Sequence, residues 1–454
     1  MIGGLMKTSS YLAIATAAGL MLGGVTMAPK AARAADLGGD CCADLESRVA
    51  ELEATTVRKG NKKVSLTISG RMAYTLTYFT DNSSPAALAP NGSGPVTTDS
   101  KSDIYVSDNS GNGPAMFFDG SGKVNSDVVV GYHMELDYNL TGGNSQNTRQ
   151  GGNAISNGDT FVYIKSDRLG RVNLGHLDGV VDDFGGEGFA SGYVVGLQGS
   201  LRGTGAFWLR DVAGQNSGIA YGKSFSGLDT SGDTGIKYIS PTFGKWLTLE
   251  AAYTGDNTWS YGASLSGNLA KSLAVKFGIA YSSAGEGDGL TGGKQAFANQ
   301  NGRANVLGLS GGFNETDSGL FLTGDYAIAY ANSDAGAIAA TDGLLHTMDM
   351  TTWEILGGWH KNVTGMGTTE VWGSFQHSTN QFADNTSGSA FQVGVDQAID
   401  SASSHLFLTY ENYNVSLPAG TLDGAATATA AAGINNLVGS QNLSTLIAGM
   451  AITF

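Results

Sequence analysis

The chain has 454 residues, with 68 glycines, 7 prolines, only 14% charged side chains and a formal net charge of −15. So acidic a chain is a poor partner for nucleic acid, whose phosphates repel it, and the adjacent Cys41 and Cys42 supply neither a disulfide framework nor a metal set. A soluble chain of this length would usually divide into roughly two or three domains, yet no composition break interrupts residues 60–454, which favours one large all-β unit.

Residues 1–34 carry Lys7, an apolar stretch from Tyr11 to about Met27, Pro29 and the small-residue motif Ala32-Arg33-Ala34. This is the pattern of a secretory signal cleaved before Ala35, and the stretch is too short and glycine-interrupted for a spanning helix. Without Lys7, Lys30 and Arg33 the remaining 420 residues have a net charge of −18. No later run approaches the ~20 apolar residues that a helical span requires. In the segment 35–60, Leu45, Val49 and Leu52 repeat at four and three among Asp44, Glu46, Arg48, Glu51 and Glu53. That spacing predicts about two heptads of amphipathic helix, either lying on the following domain or joining subunits as a short coiled coil.

From Val64 the period changes to two. Val64, Leu66, Ile68, Met72, Tyr74, Leu76 and Tyr78 share one parity, and Ser65, Thr67, Ser69, Arg71, Thr75 and Thr77 the other. An apolar face this long needs a greasy solvent outside it. The last segment repeats the pattern, with Leu446, Ala448, Met450, Ile452 and Phe454 on one parity. Between these ends, strands are expected near 115–124, 128–140, 160–166, 171–176, 234–240, 246–255, 258–268, 272–283, 303–313, 319–332, 349–362, 368–380, 388–400 and 404–415. Long connections at 80–114, 284–302, 333–348 and 416–441 alternate with short ones such as Asp167-Arg168-Leu169-Gly170 and Pro241-Thr242-Phe243-Gly244. The resulting fold class is all-β, a transmembrane antiparallel barrel of about 16 strands. Aromatic residues near strand ends, among them Tyr74, Tyr78, Phe79, Trp246, Tyr253, Trp259, Tyr281, Trp353 and Trp359, suit two girdles at the headgroup level.

The water-facing parity carries the basic residues Arg71, Lys237 and Lys276 and the acids Glu135, Asp137, Glu250, Asp325, Glu354, Glu370, Asp396 and Glu411. His133 and His360 lie on the same parity. In a pore of molecular width such charges set an ion bias. The long segment 177–233 holds Asp178, Asp182, Asp183 and Glu187, then Arg202 and Arg210. Three motifs read as coincidence. Gly308-Leu309-Ser310-Gly311-Gly312 places a hydrolase-like serine inside a strand rather than at a sharp strand-to-helix turn. Gly287-Asp288-Gly289-Leu290-Thr291-Gly292 lacks a βαβ unit. Asp108, Ser110, Asn112, Gly113 and Asp119 have calcium-loop spacing without the terminal glutamate. Neither catalysis nor a cofactor nor a metal is expected.

The run from Asp40-Cys41-Cys42-Ala43-Asp44-Leu45-Glu46-Ser47-Arg48-Val49-Ala50-Glu51-Leu52-Glu53 to Lys63-Val64-Ser65-Leu66-Thr67-Ile68-Ser69-Gly70 resembles the start of mature alphaproteobacterial porins of the rhizobial type. Further matches are Lys165-Ser166-Asp167-Arg168-Leu169-Gly170 and Ile236-Lys237-Tyr238-Ile239-Ser240-Pro241-Thr242-Phe243. The resemblance implies a signal peptide over 1–34, a periplasmic helical segment over 35–60 and an outer-membrane barrel over 61–454. It also implies a homotrimer in outer-membrane lipid that passes small hydrophilic solutes and ions. By its place after the fifth strand the segment 177–233 corresponds to the loop that folds inward and narrows the channel, the other reading being an ordinary outer loop. Asp178, Asp182, Asp183 and Glu187 would be its acidic constriction residues, partly offset by Arg71, Arg202, Arg210, Lys237 and Lys276 at the constriction or elsewhere in the lumen. Terminal Phe454 looks like the signal read by the barrel-assembly machinery. One departure is Ile239, where many relatives have an acidic residue. Two other readings remain: a structural barrel tethering the membrane to the cell wall, and a solute-specific channel.

Overall fold

The computed structural model describes residues 63–81, 84–85, 102–108, 113–139, 154–181, 207–210, 216–225, 233–255, 258–283, 305–330, 348–380, 384–417 and 439–454. The expected signal, the helix over 40–56, both cysteines and the glycine motif at 287–292 lie outside them.

The strands that span the wall are β1 (Thr67–Asp81), β2 (Ala115–Lys123), β3 (Val128–Asn139), β4 (Ala154–Ser166), β5 (Gly170–Leu177), β6 (Asp233–Ile239), β7 (Leu247–Thr254) and β8 (Thr258–Ala270). They continue as β9 (Leu273–Ser283), β10 (Asn305–Glu315), β11 (Leu320–Tyr330), β12 (Met350–Lys361), β13 (Thr369–Thr379), β14 (Ser387–Ile399), β15 (Ser404–Leu417) and β16 (Gly439–Thr453). Each pairs antiparallel with the next, and β1 pairs with β16 from Arg71↔Thr453 to Asp81↔Leu443, closing a barrel of sixteen strands. Closure leaves no unpaired edge, which is the condition for sheet structure in hydrocarbon.

Two details depart from the expected strand map. The segment Ser102–Asp108, inside the expected loop 80–114, pairs with the upper part of β1 while β2 pairs with the lower part, so the two pieces act as one interrupted strand. β4 starts six residues earlier than its apolar pattern, at Ala154, and its pairing with β3 shifts register between Met134 and Leu136. The polar run Ser156-Asn157-Gly158-Asp159 reads locally as a turn, but the bulge lets it stay in the ladder.

Burial inverts the rule for water-soluble proteins. Leu66, Ile68, Val162, Leu174, Phe277 and Ile355 are exposed, whereas Asp325, Glu354, Glu370, Asp396 and Glu411 are buried. A continuous apolar exterior around a polar interior is stable only where lipid is the outer solvent. In the turn after β4, Gly170 has φ +87°, and a Cβ there would strike the carbonyl oxygen of Ile239, so the turn's last position requires glycine.

Candidate functional site: two lumen walls and an inward segment

Strand alternation aims Arg71, Phe117, Asp119, His133, Glu135, Phe161, Tyr163, Arg171 and Asn173 at the interior of β1–β5. They form a ladder of rings and charges. The Arg71 guanidinium lies 5.2 Å above the Phe117 ring, donates from Nε to the Gly113 carbonyl at 2.9 Å and approaches Glu135 Oε1 at 3.4 Å. Phe117 stacks with His133 at 6.1 Å and His133 with Phe161 at 5.3 Å. His133 Nδ1 is 2.8 Å from Asp119 Oδ1. Arg171 ends the ladder, 5.2 Å from the Phe161 centroid and 4.1 Å from that of Tyr163, with Nε donating to Asn173 Oδ1 at 2.6 Å. Gly131 leaves room for the Tyr163 ring, which occupies the space that a Cβ would need.

The wall from β11 to β15 is different. Asp325 stands directly opposite Glu354, and Glu370 opposite Asp396. Like charges in register are unfavourable in a sheet, and the surrounding groups offset this. Asp325 Oδ1 accepts from the Glu354 backbone N–H at 3.0 Å, and Glu411 Oε2 from Thr445 Oγ1 at 2.8 Å. His360 Nδ1 lies 3.6 Å from Glu370, and His405 Nδ1 lies 2.8 Å from Asp396. Gln392 Nε2 donates to the Tyr413 hydroxyl at 2.9 Å.

Described parts of the segment between β5 and β6 lie on the barrel's inner face. Val180 and Val181 pack with Ala252, Ala280, Val306, Ala327, Ala329 and Met350, and the Val180 N–H donates to Ser260 Oγ at 3.1 Å. Farther on, a small hairpin pairs Trp208–Arg210 with Asn216–Ala220 and runs into a 3₁₀ turn at Tyr221–Ser224. Phe207, Leu209, Tyr221 and Phe225 cluster with Phe79, Ala390, Tyr413, Val415, Leu417 and Leu443. Phe79 and Phe207 meet edge-on at 4.9 Å, Phe225 and Tyr413 at 5.6 Å, and Ser378 Oγ donates to the Ser224 carbonyl. Phe79, expected in an aromatic girdle, is therefore a lumen residue, 2% exposed.

Among the predicted site residues, Asp178 and Lys237 come together: Lys237 Nζ donates to the Asp178 carbonyl at 3.4 Å and lies 3.8 Å from Glu250 Oε2. Arg71 and Glu135 also meet, and Asp137 lies opposite Ser156 on the same wall. Lys276 is opposite Gly312, and Asp325 and Glu354 occupy the far wall. Asp182, Asp183, Glu187 and Arg202 lie outside the described residues, and Arg210 ends the first strand of the small hairpin. Terminal Phe454 exchanges backbone hydrogen bonds with Gly70 at 2.9 and 3.0 Å. Ser310 sits inside β10 opposite Asp325, and Asp119 is taken up by His133. Sequence reasoning missed Arg171, Phe117, Phe161 and Tyr163. The shared parity of Phe161, Tyr163 and Lys165 was the available signal.

This architecture matches solved outer-membrane barrels. An anion-selective porin from Comamonas acidovorans aligns with TM-score 0.52 and 12% identity, covering 86% of this chain and 100% of that one. A loop L8 deletion mutant of OmpT, an outer membrane protein of Vibrio cholerae, aligns with TM-score 0.50 and 11% identity, covering 87% and 100%. At these identities the likeness is one of fold. No protein-family model matches the chain, and a search of curated proteins finds no match.

Proposed function

We propose that the chain is an outer-membrane porin, a passive diffusion pore for small hydrophilic solutes and ions, with no catalytic step and no cofactor. The observation that carries this reading is the closed barrel with an apolar exterior and a charged interior, together with the segment between β5 and β6 packed on its inner face. Such an interior lets water and ions cross while the exterior dissolves in lipid. In this reading residues 177–233 narrow the channel, and Asp178, Asp182, Asp183 and Glu187 give it a modest preference for cations, partly offset by Arg71, Arg202, Arg210, Lys237 and Lys276. The rhizobial-type resemblance of the N-terminal region supports a cleaved signal over 1–34, a periplasmic helix over 35–60 and assembly as a homotrimer. Phe454 would present the assembly signal to the barrel machinery.

Purified protein added to a planar bilayer tests the reading. Stepwise, weakly selective conductances are expected. A folded barrel that inserts and passes no current would favour a purely structural role.

A further inference from the structure

Lys165 and Arg171 face one another directly across β4 and β5 on the inward parity, beside the turn at Asp167–Leu169. Two cations in register repel, and a carboxylate between them would be the ordinary remedy. Among the described residues none lies within ion-pair distance of either. Arg171 commits only Nε, to the neutral Asn173 amide at 2.6 Å. Its cross-strand neighbour on β6 is Ile239, which offers no charge. Arg71 on the same wall is different, with Glu135 at 3.4 Å. The Arg171 guanidinium is nevertheless held in place, 4.1 Å from the Tyr163 ring and 5.2 Å from the Phe161 ring, so little side-chain freedom remains to be lost on binding.

From this we infer that Lys165 and Arg171, backed by Phe161 and Tyr163, form a lumen binding site for small aromatic carboxylates. A carboxylate would take the edge of the guanidinium together with the Lys165 ammonium, satisfying both cations. The ring attached to it would lie along the aromatic surface that Phe161 shares with His133. The site rests on the reading of this wall as water-filled lumen, and it gives an otherwise acidic channel one local anion station. The solute's charge supplies affinity and its ring supplies selectivity over aliphatic acids.

Calorimetric titration of the full-length protein in detergent, with benzoate, acetate and benzyl alcohol as probes, tests the site without requiring current. Benzoate should bind saturably, about threefold to tenfold more tightly than acetate, and benzyl alcohol should not compete. Arg171→Gln should weaken benzoate by about tenfold or more. Ile239→Glu keeps both cations but supplies a carboxylate in register with Arg171, and should weaken it similarly. Phe161→Leu should bring benzoate close to acetate. Unchanged benzoate binding in Arg171→Gln, or equal affinities for the two acids in the native protein, would overturn the assignment, with heat-modifiable migration on gels showing each barrel folded. Conductance without benzoate binding sinks the site alone. Benzoate binding without conductance supports the site and sinks the pore.

Discussion

The wall of β2–β5 and the wall of β11–β15 have the same backbone and opposite interiors. On the first, stacked rings run between the charges of Asp119, Glu135 and Arg171, and Phe117, His133, Phe161, Tyr163 and Arg171 are half-buried. On the second, Glu354 and Glu411 are only 1% exposed, though both point toward the inside of the barrel. The inward segment accounts for part of this contrast. Its two described apolar contacts fall on β7–β12 and on β14–β16 with β1, and neither touches β2–β5. Where the described parts of the segment dock, they cover the wall beneath them. The lesson is that a barrel wall need not be uniform: among the described residues, one arc holds parts of the inward segment and the other holds a ladder of rings and charges.

The largest effect should come from loosening the docked side. Phe225→Ala/Tyr221→Ala removes two fully buried rings, each worth about 3–5 kcal/mol where the site cannot collapse. Single-channel records should show larger and noisier conductance, while the thermal midpoint of the barrel on gels changes little. Unchanged conductance would mean that the hairpin does not limit flow. Next in size is the charge of the segment itself. Asp182→Asn/Asp183→Asn/Glu187→Gln should move the reversal potential across a salt gradient toward anions, by a few millivolts because mobile ions screen a wet pore within roughly 8 Å at physiological salt. A native anion preference, or no shift in the triple variant, would place selectivity on the basic arc instead.

A smaller change is expected from Arg71→Gln. It leaves Glu135 without its cation, and the same reversal potential should shift toward cations; a shift toward anions would contradict the placement of both groups on the lumen wall. The smallest concerns Gly131→Ala. The added methyl group would strike both the Tyr163 ring and the Gly120 carbonyl oxygen, so the ring should tilt away from Arg171 as the strand pair adjusts, and benzoate affinity should fall about threefold while acetate affinity stays level. Equal losses for both acids would show that the ring acts only as a spacer.

All sixteen wall strands were legible in the sequence because hydrocarbon enforces a strict alternation of apolar and polar residues. Where the alternation is short or interrupted, legibility lapses: Ser102–Asp108 has only Ile104, Tyr105 and Val106 between polar ends, and β4 opens with Ser156-Asn157-Gly158-Asp159 after Ile155, so the cross-strand pairing and not the pattern marks both as strand. The charges of the lumen could be placed on a parity but not in pairs. Arg71 meets Glu135 across a distance of 64 residues only once β1, β2 and β3 are in register. Ile239 stood out only through the resemblance to rhizobial-type porins, many of which have an acidic residue there, and its position opposite Arg171 depends on the β5–β6 register. The docking of Phe207 and Phe225 had no periodic signal, because a segment shaped by its partners carries no pattern of its own.

The inward segment leaves β5 at Leu177 and re-enters β6 at Asp233, and these two residues are cross-strand partners. A chain excursion sealed at its own base asks nothing of the register on either side. The closure cost of such an excursion grows only with the logarithm of loop size, about 0.6 kcal/mol per doubling, so added length outside the docked residues is cheap. If this segment sets the aperture, as proposed, the aperture is an exchangeable fitting on a fixed pipe. Bore and wall can be altered separately, and a segment of different length or charge grafted between Leu177 and Asp233 should change what passes without changing what folds.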